Sequence, residues 1–438
     1  MRTKTYFIQT FGCAMNEYDS ERIASVAESR GYIPCKEASE ADLIIYNTCS
    51  VREKPYIKLA SYLGLAKIYK KTNPHLIVGV TGCIAQQDGD ALLKQFKTVD
   101  FVVGTDALPR IGSIIDKALE GNRLADTEKT KDNFTIAEFN RKPSIRANVT
   151  IMKGCENFCS YCIVPFVRGK EQSRKPDEII DEVKRLADNG VKEICFLGQN
   201  VNSYGKELSC GTDFSDLLKM AEKIPSITRI RFVTSHPKDF SEKMVHTIAE
   251  SSKICRLIHL PLQSGSDRIL KAMNRKYTCA EYFKKIDYAR KIMPDIGFTS
   301  DFITGFPGET EEDFTQTLAA VKYVDYEQIF AFNYSPRPGT AAERMGDTID
   351  YQVKNSRLTR LFKLQEQLHN SRFEKLNGME TTVLVLEQLE KDGEISYLGV
   401  NTYNRNITFT SEKPVVLGDL VTVKISKTRG GISGVRIG

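Results

Sequence analysis

Cys155, Cys159 and Cys162 stand as Cys-x3-Cys-x2-Cys in the run Lys153-Gly154-Cys155-Glu156-Asn157-Phe158-Cys159-Ser160-Tyr161-Cys162. Thiolates are soft ligands suited to iron–sulfur clusters and zinc. A closed structural zinc site takes four ligands, commonly two Cys/His pairs, and no His or fourth Cys lies nearby in sequence. Three thiolates on a four-iron cluster instead leave one iron open to a small molecule. A second set is dispersed: Cys13, Cys49 and Cys83 lie in Phe11-Gly12-Cys13-Ala14-Met15-Asn16, Asn47-Thr48-Cys49-Ser50-Val51-Arg52-Glu53-Lys54 and Thr81-Gly82-Cys83. Each follows an apolar run that reads as a buried strand. In a parallel sheet such turns share the edge where ligands bind, so these thiols are expected to converge on a second three-cysteine site. Gly12 and Gly82 would let backbone approach a bulky group. The bland alternatives are a metal-free loop and three buried packing cysteines; spacing and strand-end placement together favour ligation. Cys35, Cys195, Cys210, Cys255 and Cys279 are assigned no role, most of them reading as packing residues, and His236, at a strand end, is the one His of interest.

The elements that must position these residues fall into three parts. Strands over residues 5–10, 43–47, 76–81 and 99–103, with an amphipathic helix over 20–30 that stops at Gly31, predict a doubly wound parallel α/β domain over residues 1–120. Ile23, Val26 and Ala27 share that helix's apolar face. Residues 121–142, including Lys129, Lys131, Asp132 and Asn133, are polar and aperiodic and read as a linker. Over residues 143–376, strands at 147–152, 193–197, 229–233, 257–260, 298–303 and 328–333 alternate with helices at 177–189, 214–223, 241–250, 280–293 and 311–323. Six βα units are too few for a closed eightfold barrel. Four later strand ends carry polar loops, Gly198-Gln199-Asn200, Thr234-Ser235-His236, Gln263-Ser264-Gly265-Ser266 and Gly305-Phe306-Pro307-Gly308-Glu309, which would ring one pocket with the Cys155 loop.

A long helix over 351–376 has Leu358, Leu361, Phe362, Leu364 and Leu368 on its apolar face. It carries Lys354, Arg357, Arg360, Lys363, Arg372 and Lys375 against Glu366 and Glu374; Arg357, Arg360 and Lys363 are the candidate phosphate contacts. Lys54, Lys58, Lys67, Lys70 and Lys71 make a second basic face or a plainly solvated one. Five short strands at 382–386, 397–400, 407–410, 420–425 and 432–435 predict a small β-barrel of the oligonucleotide-binding kind over 377–438. Its acidic and basic residues balance, although Arg405, Lys424, Lys427 and Arg429 could cluster.

The chain has 438 residues, 41% of them apolar, and a net charge of +6. The mild basicity permits a nucleic-acid partner without arguing for one. The first residues lack a signal peptide's apolar run, and no apolar run reaches the ~20 residues of a membrane span. A cytoplasmic protein with no membrane partner is expected, and in that compartment eleven cysteines point to ligands or thiols rather than disulfides.

The compact cysteine motif, with the aromatic Tyr161 before its last cysteine, resembles that of the radical S-adenosylmethionine (SAM) superfamily. The resemblance implies an open partial barrel of six βα units. It also implies a 4Fe-4S cluster on Cys155, Cys159 and Cys162 whose open iron takes SAM, with Tyr161, Gly198, Gln199, Ser235, Gln263, Ser264 and Gly305 lining the cofactor pocket. One electron then cleaves SAM to a 5′-deoxyadenosyl radical. Gly198-Gln199-Asn200 stands where the superfamily often has Gly-Gly-Glu.

The order of the three parts resembles the methylthiotransferase family over nearly the whole chain, and the small barrel resembles a TRAM domain. Residues 47–54, 168–174 and 198–205 are similar to the MiaB-type tRNA enzymes, with Ala14 where these usually have Gln. That resemblance implies a second 4Fe-4S cluster on Cys13, Cys49 and Cys83 and two uses of SAM. The substrate would be tRNA, with a methylthio group placed on C2 of N6-isopentenyladenosine 3′ of the anticodon. Adenine C2–H is beyond any side-chain base near neutral pH, so a cofactor must carry the step. A reductant protein such as flavodoxin or ferredoxin, an iron–sulfur cluster or sulfur donor, and a monomeric state are further expectations. The alternatives are modification of threonylcarbamoyl adenosine in tRNA, modification of a ribosomal-protein aspartate, and a non-enzymatic RNA-binding iron–sulfur sensor.

Overall fold

The computed structural model describes residues 3–50, 54–130, 134, 144–427 and 431–438. Val51, Arg52, Glu53, Lys131, Asp132, Asn133 and Arg429, with half of the expected linker, lie outside them. The chain begins with strand β1 (Thr5–Phe11), helix α1 (Ala14–Glu28), β2 (Ile33–Pro34), β3 (Leu43–Thr48), α2 (Lys54–Thr72), β4 (Ile77–Gly82), α3 (Cys83–Asp88), α4 (Asp90–Gln95), β5 (Phe101–Val103), α5 (Ile111–Leu119) and β6 (Leu124–Asp126). The strands form one parallel sheet in the order β2-β1-β3-β4-β5-β6. Every residue of β3 and β4 is buried, as a sheet covered on both faces requires.

Two sequence expectations change here. Helix α1 starts six residues early, capped by Cys13 with Asn16 at its third position. The buried polar residues Asn16, Asp19 and Arg22 interrupt its apolar pattern, which hid its first turns. Leu124–Asp126, expected in the linker, pairs with β5 and closes its open edge. Three residues are too few to show a strand pattern.

The central part contains β7 (Arg146–Thr150), β8 (Met152–Lys153), α6 (Val164–Val167), β9 (Gln172–Ser173), α7 (Pro176–Asp188), β10 (Glu193–Leu197), α8 (Phe214–Glu222), β11 (Arg229–Phe232), α9 (Glu242–Glu250), β12 (Leu257–His259), α10 (Asp267–Ala272), α11 (Cys279–Ile292), β13 (Gly297–Thr304), α12 (Glu311–Val324) and β14 (Gln328–Asn333). Parallel strands β7-β10-β11 and β12-β13-β14 form two three-stranded sheets. A single parallel bridge between Ile230 and Ile254 links them. This is an open (βα)6 partial barrel, with its helices packed outside the strands in the largest apolar core.

Helix α13 (Tyr351–Lys375) leads to β15 (Glu380–Lys391), β16 (Glu394–Asn401), β17 (Asn406–Thr410), β18 (Leu420–Lys427) and β19 (Ile432–Ile437), a closed five-stranded barrel. It sits at the strand-start end of the central barrel. Arg229 donates to the carbonyls of Val400 and Thr382, at 2.5 and 2.8 Å. Arg231 donates to those of Thr402 and Asn401, at 2.9 and 2.5 Å. The N-terminal domain packs at the other end, where Met15 and Tyr18 of α1 meet Leu197 and Cys83 meets Ile163 and Val167.

Candidate active site

The compact cysteine loop is tied at both ends by the antiparallel pairing of Met152–Lys153 with Gln172–Ser173. Inside it, Gly154 has φ +77° and a Cβ there would lie 1.9 Å from the Lys170 carbonyl oxygen, so only glycine fits. The Gly154 N–H donates to Gln199 Oε1 at 2.5 Å, and the Cys155 N–H to the Gly169 carbonyl at 3.1 Å.

The sulfurs already have donors aimed at them. Asn157 Nδ2 lies 3.3 Å from Cys155 Sγ, and Arg275 Nη1 lies 3.3 Å from Cys159 Sγ. Arg275 is buried and also donates to the Pro261 carbonyl and the hydroxyl groups of Tyr161 and Tyr277. Burial, then the neighbouring Cys159, pushes the Cys162 thiol up to about 12, and burial raises Cys155. Such thiols become thiolates when a metal supplies the compensating charge. The donor set therefore fits a thiolate-held cluster.

Cys13, Cys49 and Cys83 follow β1, β3 and β4 and meet at one sheet edge. Hydrogen bonding with Cys49 is the main cause that brings the Cys13 thiol down to about 6, with Arg168 contributing. Arg168 Nε lies 3.4 Å from Cys83 Sγ, while burial raises that thiol. Asn16 and Asn47 brace the edge through a 2.9 Å side-chain bond. Gly82 has φ +89°, and a Cβ there would strike the Thr48 carbonyl at 2.4 Å. Among the described residues no three His, Cys, Asp or Glu side chains close around a single metal ion; a four-iron cluster asks its thiolates to stand further apart.

The remaining expected pocket residues divide. Ser235 Oγ and His236 Nε2 are buried and have no hydrogen-bond partner among the described residues, as does the Asn200 Oδ1 at the neighbouring strand end. Buried orphans are expected where a polar ligand binds, so this wall fits SAM. Burial, with Arg275 and Lys238 nearby, pulls His236 down to about 2, and its Nδ1 accepts from the Lys238 N–H. It is thus neutral, with its proton on Nε2.

Gly198 abuts Met152, whose Cγ would lie 2.6 Å from an added Cβ. Gln199 holds the cysteine loop, as described. Gln263 adopts φ +76° and bridges to Phe302. The Ser264 hydroxyl faces Thr317 at 3.4 Å, turned toward α12. Gly305 N–H donates to Glu309 Oε2 at 2.7 Å. Tyr161 packs against the Ile269, Met273, Phe306 and Tyr334 cluster, joining the cysteine loop to the Gly305 loop.

The phosphate-contact expectation needs correction. Arg357 is buried, with Nη1 2.8 Å from the equally buried Glu309 Oε2 and Nε 3.4 Å from Glu311. Arg360 pairs with Glu311 at 2.5 Å and lies over the Phe314 ring. Lys354 is buried against Asp347. Lys363 alone of the three candidates is exposed and without an ion pair among the described residues. Helical charge counts do not tell which face is spent on acidic partners from other elements. Arg275 and the sulfur contact of Arg168 were likewise invisible: neither lies at a motif spacing, although Arg168 opens the 168–174 stretch. On α2, Lys70 pairs with Asp100 at 2.6 Å while Lys58, Lys67 and Lys71 are exposed.

Comparison with known proteins covers the same parts. Residues 149–321 match the family described as the Radical SAM superfamily, and residues 5–104 match one described as Uncharacterized protein family UPF0004. A tRNA-2-methylthio-N(6)-dimethylallyladenosine synthase of Thermodesulfovibrio yellowstonii is 44% identical over 98% of this chain and 97% of its own length. The synthase of the same name from Pelotomaculum thermopropionicum is 43% identical over 97% and 96%. Among solved structures, the radical SAM methyltransferase TsrM of Kitasatospora setae, with cobalamin and a [4Fe-4S] cluster bound, superposes with a TM-score of 0.59 at 13% identity, covering 90% of this chain and 82% of that one. At that identity the likeness is one of fold. Among the described residues no helix is long and apolar enough to cross a membrane.

Proposed function

We infer, since the chain belongs to the tRNA-2-methylthio-N(6)-dimethylallyladenosine synthases, that it is a radical SAM tRNA methylthiotransferase acting at C2 of N6-isopentenyladenosine. The observation that supports this most is the meeting of two cysteine triplets at one domain interface: the residues directly after Cys162 form the wall around Cys83. We assign Cys155, Cys159 and Cys162 to a SAM-binding 4Fe-4S cluster and Cys13, Cys49 and Cys83 to a second one. Bound, these groups supply the electron for SAM cleavage and the site where sulfur is held.

The chain's own residues do the rest. Gly154 and Gln199 fix the cysteine loop. Asn157 and Arg275 donate to its sulfurs, and Ser235 and His236 offer polar atoms to SAM. Tyr161 links the loop to the Gly305 turn, so the two sides of the pocket are packed together. The adenosine then lies between the two triplets. The domain reading is 1–126 with the sixth strand included, 143–376 and 377–438. The chain works as a monomer, with flavodoxin or ferredoxin as reductant and a separate iron–sulfur cluster or sulfur donor.

Nucleoside mass spectrometry of tRNA from cells lacking the gene tests the activity. The 2-methylthio derivative should disappear and N6-isopentenyladenosine accumulate. Unchanged methylthiolation, or loss of a 2-methylthio derivative of threonylcarbamoyl adenosine instead, would reject it.

A further inference from the structure

The segment between Cys162 and Lys170 touches both cysteine sets. Ile163 and Val167 pack on Cys83, and the Val167 carbonyl accepts from Thr105 Oγ1 at 2.6 Å. Arg168 then enters the N-terminal domain, and the next carbonyl, that of Gly169, accepts from the Cys155 N–H at 3.1 Å. One end of the Arg168 fork is 3.4 Å from Cys83 Sγ and the other 3.3 Å from Asp19 Oδ2. All three residues are buried, Arg168 being 6% exposed. Asp19 also faces Arg22 at 3.8 Å, and Lys153 is matched by Asp106 at 2.8 Å.

We propose that Arg168 is a positioning residue for the N-terminal cluster. Reaching across from the central domain, it hydrogen-bonds the Cys83 sulfur, fixes that sulfur relative to the Cys155 loop and stabilises the reduced form of the cluster. The proposal rests on the two-cluster reading. Cluster potentials follow net charge, hydrogen bonds to sulfur and solvent exposure. Reduction adds negative charge, and a buried cation beside a ligand sulfur favours that state with little screening. Arginine suits the place because its planar fork meets the sulfur and Asp19 at once and stays protonated.

The test uses the full chain with Cys155, Cys159 and Cys162 replaced by Ala, reconstituted anaerobically, so that only the N-terminal site can carry iron. The midpoint potential is followed by electron paramagnetic resonance during reductive titration, with Arg168→Gln and Arg168→Lys compared to the parent. Arg168→Gln should shift the midpoint to a more negative value and Arg168→Lys should restore part of the shift. Loss of iron from Arg168→Gln alone, with Lys retaining it, also supports the charge's role. An unchanged midpoint in Arg168→Gln, or equal loss of iron from both variants, overturns the proposal. Absence of iron from the parent rejects the two-cluster reading instead.

Discussion

Arg357 of α13 reaches Glu309 of the loop after β13 at 2.8 Å, with both side chains buried. Glu309 in turn accepts from the Gly305 N–H, so the last long helix holds a loop of the proposed SAM pocket in place. Burial raises the Glu309 carboxyl and Arg357 opposes that shift. Breaking a buried pair strands a charge at a cost of about 3–5 kcal/mol. Arg357→Ala should therefore lower the unfolding midpoint and weaken SAM binding. In the folded fraction, the salt dependence of tRNA affinity should stay unchanged. Lys363→Ala should do the reverse, leaving stability alone and reducing the slope of log affinity against log salt by about one. Filter binding over a salt series, beside thermal unfolding, separates the two.

Anaerobically reconstituted protein should hold close to eight irons, about four for each cluster. Replacing Cys155, Cys159 and Cys162 with Ala should halve the content in a colorimetric iron assay. Full retention would remove the compact triplet from the ligand set.

Gly154→Ala forces a Cβ against the Lys170 carbonyl at 1.9 Å in a left-handed conformation. It should cost the central site its iron while the N-terminal site keeps its own, giving about half the wild-type content and no SAM cleavage. Normal 5′-deoxyadenosine production from this variant would contradict the close packing described.

Cys49→Ala should still make 5′-deoxyadenosine under reductant but no 2-methylthio product, because radical generation is assigned to the other triplet in the proposed reading. Both products can be quantified by liquid chromatography on one sample. Methylthiolation by this variant would make the N-terminal site structural.

His236 is buried and its pKa is pulled down to about 2, so the folded chain keeps it neutral where the unfolded chain, near 6.5, takes up a proton. Stability from this group is full above about pH 6.5 and falls with acid by up to about 1.4 kcal/mol per pH unit until the folded group titrates. His236→Gln should flatten the acid limb of the unfolding midpoint between about pH 6 and 4. An identical slope in both proteins would show that another group governs it.

The strand ends that carry cysteines were legible because chemistry and strand periodicity coincide there. Residues 193–197 and 328–333 were placed to the residue: the first is a buried parallel strand that reads as an apolar run, and the second alternates buried Ile329 and Ala331 with exposed Gln328 and Phe330. The first turns of α1 were lost because Asn16, Asp19 and Arg22 serve the cysteine edge and the domain interface instead of an apolar stripe. Leu124–Asp126 escaped because a short edge strand is defined by its neighbour. Arg168 and Arg275 reach their sulfurs only after distant segments fold together, and Arg357 reads as a phosphate contact because its partners Glu309 and Glu311 belong to other segments.

The origin of Arg168 also sets an order of manufacture. Domains fold as they leave the ribosome, N-terminal first, so Cys13, Cys49 and Cys83 enter their sheet before Arg168, Ile163 and Val167 can fold against it. The nascent chain passes through a stage with three assembled thiols but neither the guanidinium nor the apolar wall around Cys83. The surroundings of Cys83 are therefore complete only when the central domain has folded onto the N-terminal one.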